Sequence, residues 1–311
     1  MKVFLTGGSG FLGKRIKYFL EQDGHHCIAP RSSQLNLEED INNFNKVHNY
    51  LKDIDAVIHS AVFYGGIGTN IKYPFDLILR NNKMSNNIYL LAQKLNIKKF
   101  ISVGSACAWP GEKSGDLKEE EVFDGRPHDS IEAYGFNKRV HLIFNKAIYK
   151  QYGIISNQLA LANLYGEGDV FDEERSHVIS SLIKKVVDHK LFNKPIIAWG
   201  TGRAIRQFLY VDDAAKIISK SLVFPHFLDP INIYGEEISV ENLLKLICEL
   251  VGVDYSKVKW DTNMPDGVPR KVLAKGKLDN LLNYKFISFK EGLKKTINWY
   301  IENKEEADAR Q

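Results

Sequence analysis

A short apolar run, Lys2-Val3-Phe4-Leu5-Thr6, passes without a break into Gly7-Gly8-Ser9-Gly10-Phe11-Leu12-Gly13 and then into a helical pattern reaching Phe19-Leu20. Strand, glycine turn and helix in that order leave few architectures open, because the unit belongs in a parallel sheet and its turn admits a dinucleotide. Gly7 allows the tight turn, Gly10 lets the backbone approach a pyrophosphate, and Gly13 lets helix pack closely on strand. The helix N-terminus, at Phe11 and Leu12, offers unpaired N–H groups to the anion. A plain glycine-rich turn is the alternative, and position, spacing and flanking periodicity all speak against it.

The rest of the chain repeats the alternation. His26 to Ala29, Asp55 to Ala61, Lys99 to Gly104 and Ile154 to Ala160 read as strands, with helical periodicity from Phe75 to Leu95 between two of them. This predicts a Rossmann-type doubly wound parallel sheet of the α/β class, with its ligand at the carboxyl ends of the strands and Ala61 in one of the small-residue turns there. After the second strand stands Pro30-Arg31-Ser32-Ser33, with no carboxylate until Glu38. A guanidinium and two hydroxyls suit a 2′-phosphate, so Arg31 favours NADPH, unless it is a solvated loop residue. His59 reads as a core or cofactor-edge histidine rather than a catalyst.

Two short stretches carry the chemistry. Tyr134 and Lys138 are four residues apart, so on a helix they share one face, where an ammonium favours the phenolate. Ser105, in Ser105-Ala106-Cys107 at the end of a strand, could hydrogen-bond both the tyrosine and a substrate oxygen, as ketone reduction requires. Tyr-x-x-x-Lys also occurs by chance on solvated helix faces, and it is the glycine turn that gives this pair weight.

With 311 residues, 44% hydrophobic and 26% charged, the chain is ordinary for a soluble globular protein of one extended domain or two sharing a cleft. Its net charge of +4 is too small and scattered to argue for nucleic acid. Three cysteines, Cys27, Cys107 and Cys248, lack disulfide or metal spacing and point to reducing cytosol, with no metal site. The N-terminus lacks the pattern of a secretory signal, and no stretch approaches the ~20 apolar residues of a membrane span. The charged tail Glu305 to Arg310 reads as a frayed helix end. Asp169, Asp172, Glu173, Glu174 and Arg175 form a polar loop, and Ser176 reads as the N-cap of a helix from His177 to about His189. The expected division is a nucleotide domain over 1–165 plus about 206–230, and a smaller, discontinuous substrate domain over about 166–205 and 231–311.

Nearly end to end, the chain resembles the extended short-chain dehydrogenase/reductase superfamily and, within it, the GDP-L-fucose synthase family. The resemblance rests on the Gly7 to Gly13 turn, Gln34-Leu35-Asn36-Leu37, Gly65-Gly66-Ile67 with Asn70 and Pro74, Asn81, Gly104 to Cys107 with Pro110, and Tyr134 with Lys138. It continues through Asn163-Leu164-Tyr165-Gly166, Ser176-His177-Val178-Ile179, Trp199-Gly200-Thr201-Gly202 with Arg206, Val211-Asp212-Asp213, and Pro265-Asp266-Gly267-Val268-Pro269-Arg270-Lys271. It implies 3,5-epimerisation followed by NADPH-dependent 4-reduction of a GDP-4-keto-6-deoxy sugar. Ser105, Tyr134 and Lys138 would be the reductase triad, and Cys107 and His177 the epimerising pair. Gly7, Gly10, Phe11, Leu12, Gly13, Arg31, Ala61, Tyr134, Lys138, Asn163 and His177 would line the cofactor, and Asn163, Trp199, Arg206 and Lys271 the nucleotide sugar. A homodimer is implied, paired through helices that include the tyrosine helix, with apolar positions near Leu90-Leu91 and Leu142-Ile143.

Three departures leave the sugar open. Phe63-Tyr64 stands where the family usually has a lysine before Gly-Gly-Ile, Ser9 replaces a basic residue in the glycine turn, and Ser180 replaces a proline after His-Val-Ile. A relative acting on a colitose or 6-deoxy-heptose precursor, and an NAD-dependent nucleotide-sugar 4-epimerase, remain alternatives. A 4,6-dehydratase would need an acid pair where Ala106-Cys107 stands. A non-catalytic redox sensor on the same fold commonly lacks the tyrosine or lysine that this chain keeps.

Overall fold

The computed structural model of the chain describes residues 1–39, 51–65, 67–172, 176–264 and 266–309. Gly66, Glu173, Glu174, Arg175, Pro265 and Arg310, named above, lie outside the described residues. In chain order the strands are β1 (Lys2–Thr6), β2 (His26–Ile28), β3 (Ala56–His59), β4 (Lys99–Ser105), β5 (Gly115–Leu117), β6 (Ile155–Leu161) and β7 (Asn163–Tyr165). They continue as β8 (Ile196–Trp199), β9 (Ile205–Tyr210), β10 (Ile231–Ile233), β11 (Glu236–Ser239), β12 (Val258–Asp261) and β13 (Arg270–Leu273).

Six strands form a parallel sheet in the order β2-β1-β3-β4-β6-β10. The chain leaves β1 on one side for β2 and returns on the other for β3, so the winding reverses between β1 and β3 and a crevice opens at their carboxyl ends. Alternate side chains on these strands feed two cores. Val3, Leu5 and Ile58 pack with Ile16 and Leu20 of the helix Phe11–Gln22 and with Ile217 and Ile218 of the helix Val211–Lys220. Phe4, Val57 and Phe100 face the other way, onto Ile88 and Ala92 of the helix Pro74–Lys94 and Ile148 of the helix Glu132–Tyr152. Burial on both faces is why these strands read as near-continuous apolar runs.

A second sheet runs β11-β9-β13-β5, with β7 also paired to β9, and β8 and β12 make a parallel pair. Its own core joins the helices Val178–Phe192, Val240–Val251 and Phe289–Glu302 through Ile183, Val186, Leu244, Ile247, Leu293 and Ile297. The sheets divide the chain differently from the expected boundaries. β10 completes the six-stranded sheet, whereas β5 and β9 belong to the second. Strands of three residues, such as β5 and β10, carry no periodicity from which a sheet could be assigned.

Two local expectations change. His177, not Ser176, is the extended residue before the helix Val178–Phe192. The charged tail is a docked helix, Lys304–Ala309, with Ala307 buried and Lys304 Nζ 2.6 Å from Asp188 Oδ1 and 2.5 Å from Asp308 Oδ2. Ion pairing with a distant, buried aspartate turns what reads as a solvated charge run into a packed element. No described helix is long and apolar enough to cross a membrane.

The glycine turn is set by contact. A Cβ added at Gly13 would lie 1.9 Å from the Gly7 carbonyl oxygen. Gly13→Ala is therefore expected to lower stability by about 1–3 kcal/mol or more through overpacking, read as a fall in melting temperature with loss of dinucleotide binding. A melting temperature equal to that of the parent would show that the turn yields freely.

Candidate active site

A cavity of about 610 Å³ opens at the carboxyl ends of β1, β3 and β4, and Gly7, Gly10, Phe11, Leu12, Gly13, Ala61, Ser105, Cys107, Tyr134, Lys138, Asn163 and His177 all lie on its wall. At one end the Gly10 N–H donates to the Gly7 carbonyl at 3.0 Å, and the helix that follows has neither a capping side chain nor an acid in its first turn. Its free N–H groups and positive dipole end suit a pyrophosphate. The Thr6 hydroxyl oxygen accepts from the N–H groups of Ser60 and Ala61, 3.1 Å each, which locks the turns after β1 and β3 together. His59 is a core residue, buried with Nδ1 2.9 Å from Thr6 Oγ1, and burial pulls its imidazole down to about 3.

At the other end, the helix Glu132–Tyr152 comes down on the turn after β4. A Cβ at Gly135 would lie 2.6 Å from the Cys107 carbonyl oxygen, so only glycine permits this approach. Arg139 Nε donates to the Ala108 carbonyl at 2.6 Å and Lys138 Nζ to the Val103 carbonyl at 2.9 Å. Lys138 Nζ also sits 5.3 Å from the centre of the Tyr134 ring. Burial pulls the Lys138 ammonium down to about 8, with Cys107 acting in the opposite sense. Burial, Tyr64 and Cys107 push the Tyr134 phenol well up, and a hydrogen bond with the Ser105 side chain pulls back. The Ser105 hydroxyl oxygen also accepts from the Cys107 N–H at 3.2 Å, fixing the thiol beside the serine. Ser105 and Cys107, half-buried, therefore share one corner of the cavity with the buried Tyr134 and Lys138.

His177 completes the cluster. Its ring lies 5.8 Å from that of Tyr64 and nearly parallel, at 13°, while Tyr64 packs against Tyr134 at 4.7 Å. Asp169 is buried, 2% exposed, within electrostatic reach of His177. Burial raises the Asp169 carboxyl, and His177, the Ser180 hydroxyl and the Val170 N–H pull it back.

Four expected residues lie off this wall. Arg31 is exposed in a turn, with the neighbouring wall formed by Pro30 and Ser32. Glu38 is on the wall, held by Arg80, whose Nη2 donates to Oε1 at 2.7 Å. Trp199 is 63% exposed. Arg206 and Lys271 are register partners in β9 and β13. Lys271 is near enough to Cys107 to feel it, and burial lowers its ammonium. Arg206 is engaged with backbone, its Nη1 donating to the carbonyls of Ile205 and Val268 and its Nη2 to that of Asp266, at 2.8 to 2.9 Å. Among the described residues no group of three His, Cys, Asp or Glu is placed to hold a metal ion.

Residues 3–234 match the NAD dependent epimerase/dehydratase family. The chain belongs to that family. It is 31% identical over 318 residues to the GDP-L-fucose synthase of Escherichia coli (strain K12), covering 98% of each chain. It is 30% identical to the GDP-L-colitose synthase of Yersinia pseudotuberculosis, covering 98% of this chain and 99% of that one. The crystal structure of a GDP-L-fucose synthetase from Naegleria fowleri bound to NADP superposes with a TM-score of 0.87 at 26% identity, over 97% of this chain and 93% of the other. The resemblance read from the glycine turn, the tyrosine–lysine pair and the later motifs is thereby borne out.

Within this epimerase/dehydratase fold, Tyr64, Asp169 and Gly135 are the site residues that sequence reading did not single out. Tyr64 had one signal, standing in a pair that departs from the family pattern. Asp169 lay in a run of acids with nothing to mark it from its neighbours. The late motifs converge through side chains: the Thr201 N–H and hydroxyl donate to Asp266 at 2.7 and 2.5 Å, and Arg206 holds the same loop. Arg206→Ala would leave the carbonyls of Asp266 and Val268 unpaired, costing about 1–3 kcal/mol. The expected result is a melting temperature lower by a few degrees; an unchanged one would show that the loop holds without the guanidinium.

Proposed function

We propose that this chain is a bifunctional GDP-4-keto-6-deoxy-sugar epimerase-reductase, inverting the carbons flanking a C4 ketone and then reducing it with NADPH. The observation that carries the reading is that Ser105, Tyr134, Lys138, Cys107 and His177 all face the one cavity that begins at the glycine turn. The names of the relatives point the same way. The six-stranded sheet would hold the dinucleotide and the second sheet the nucleotide sugar.

The uncapped helix N-terminus and the crowding at Gly13 fit a dinucleotide, with Gly7, Gly10, Phe11, Leu12 and Gly13 at its pyrophosphate and Ala61, Tyr134, Lys138 and Asn163 along the rest. Glu38 is neutralised by Arg80, so it does not oppose a 2′-phosphate, and Ser32 is on the wall to receive one, with Arg31 beside it. NADPH, when bound, supplies the hydride for C4. Tyr134, kept protonated by burial, gives its proton to the C4 oxygen, and the Lys138 ammonium steadies the phenolate left behind. Ser105 orients the same oxygen by hydrogen bond. Before reduction, the ketone acidifies the hydrogens on C3 and C5. Cys107 and His177 act as base and acid on opposite faces, and Tyr134 or Ser105 stabilises the enolate oxygen. Arg206 and Lys271 would meet the diphosphate and sugar, and exposed Trp199 the guanine.

The GDP-L-colitose synthase likeness, at 30%, supports a second reading in which the sugar is another GDP-4-keto deoxy sugar. A homodimer is supported by Leu90 and Ile143, 49% and 55% exposed, on the adjacent helices Pro74–Lys94 and Glu132–Tyr152. Three free thiols suit the cytoplasm.

With GDP-4-keto-6-deoxymannose, Tyr134→Phe is expected to cut NADPH oxidation about a hundredfold or more while solvent deuterium still enters C3 and C5. Cys107→Ser should do the reverse, slowing exchange without weakening NADPH binding. If Tyr134→Phe turns over at the parental rate, the triad assignment fails. The Lys138 ammonium is present below about 8 and lost above it. The kcat for NADPH oxidation should accordingly show an alkaline limb centred there, and a rate flat through that limb would remove the lysine from the mechanism.

A further inference from the structure

Four Lys, Arg, Asp and Glu side chains line the cavity. Lys138 stands by Tyr134 and Asp169 within reach of His177. The other two, Glu38 and Arg80, are paired with each other, where the wall is formed by the segment that follows β2 through Pro30, Ser32, Asn36 and Leu37. Neither the reductase nor the epimerase assignment uses them.

The pair is held in one geometry. Arg80 Nε donates to Glu38 Oε1 at 2.9 Å and to Oε2 at 3.1 Å, and Nη2 donates to Oε1 at 2.7 Å. The guanidinium carbon lies 3.9 Å from the centre of the Phe63 ring, which serves as its platform. Phe63 is fixed in turn by Asn81, whose Oδ1 accepts from the Phe63 N–H at 2.8 Å and whose Nδ2 donates to the Phe63 carbonyl at 2.9 Å. On the other side, Asn87 Nδ2 donates to the Leu37 carbonyl at 2.8 Å, so the helix Pro74–Lys94 grips residues 37 and 38 at two points. An isolated surface ion pair contributes little to stability, but this one is tied to anchored backbone on both sides and seated on an aromatic face.

Glu38 is the first carboxylate after β2, on the same wall as Ser32, where the 2′-phosphate is placed above. An acid at the adenosine ribose accepts from the 2′-hydroxyl of NADH and repels the 2′-phosphate of NADPH. Left free, Glu38 would select the wrong dinucleotide. Bound to Arg80, its charge is compensated and both of its oxygens are engaged.

We propose that Arg80 determines the cofactor preference of this chain by holding Glu38. The ion pair screens a 2′-phosphate from the carboxylate and withholds the carboxylate from a 2′-hydroxyl, so breaking it turns an NADPH site into an NADH site. The inference rests on the NADPH reading above and adds what decides the preference. It also gives the Phe63 departure a task at the cofactor.

The test is titration of the intact protein with NADPH and with NADH, followed by calorimetry. Arg80→Leu keeps apolar cover on Phe63 and removes the cation. It should weaken NADPH about tenfold or more while NADH binds more tightly than to the parent. A gain for NADH cannot come from partial unfolding, so the opposite movement of the two affinities separates this role from a merely structural one. The same reversal should appear with 2′,5′-ADP against 5′-AMP, which carry the adenosine end alone. Adding Glu38→Gln to Arg80→Leu should return NADPH binding to near the parental value, because no free carboxylate is left to repel it. An unchanged ratio in Arg80→Leu overturns the proposal, as does a loss of both dinucleotides together or a reversal absent from the fragments. NADPH binding that stays weak in the double variant overturns it too, since the arginine would then be acting on the phosphate itself. A parent with no preference for NADPH brings down the cofactor reading as well; a parent that prefers NADPH, with an unmoved Arg80→Leu, brings down this inference alone.

Discussion

Where the helix Glu132–Tyr152 meets the turn after β4, there is no room for a side chain: a Cβ on Gly135 would stand 2.6 Å from the Cys107 carbonyl oxygen. The close approach is fastened by Lys138 on the Val103 carbonyl and Arg139 on the Ala108 carbonyl. Gln158 Nε2, from β6, donates to the Lys138 carbonyl at 2.7 Å and ties the helix to the next strand as well. The relative positions of Ser105, Cys107, Tyr134 and Lys138 are thus set by backbone carbonyls of β4 and of the turn that follows it. Pre-organisation of this kind is what a proton donor and a carbon acid–base pair need if they are to act on one sugar ring.

Dryness does the rest. Tyr134, Lys138 and Asp169 are each shifted chiefly by burial, toward their neutral forms. The pair of tyrosines keeps its protons, while the lysine sits close enough to neutrality for its charge to depend on pH in the working range. In water the phenols would also keep their protons, but the lysine would stay fully charged through the neutral range, so it is burial that makes its charge depend on pH there.

The second sheet is more than a lid on the first. β5, which follows the Ser105–Cys107 turn, pairs with β13, and β13 pairs with β9, so the late chain is hydrogen-bonded to the segment leaving the site. Arg270 reinforces the junction by pairing with Asp116 and Glu237, 2.6 Å each. This brings Lys271 within electrostatic reach of Cys107 although the two are far apart in sequence. A boundary drawn between domains by sequence position misses such a junction, because strands of three or four residues leave no periodic trace.

Local patterns in the sequence determined the parallel sheet, the glycine turn, and the residues that face the cavity from β1, β3 and β4. They did so because a strand, a tight turn and a helix N-terminus are specified within about a dozen residues, and because Tyr134 and Lys138 share a helix face by spacing alone. What only the tertiary structure decided are the relations between distant segments. Tyr64 lies between Tyr134 and His177, Asp169 is the buried acid beside the imidazole, and Arg206 is committed to carbonyls of the 266–268 loop. None of these leaves a mark in local composition, since each depends on which side chains long-range packing brings together and on how much water that packing removes.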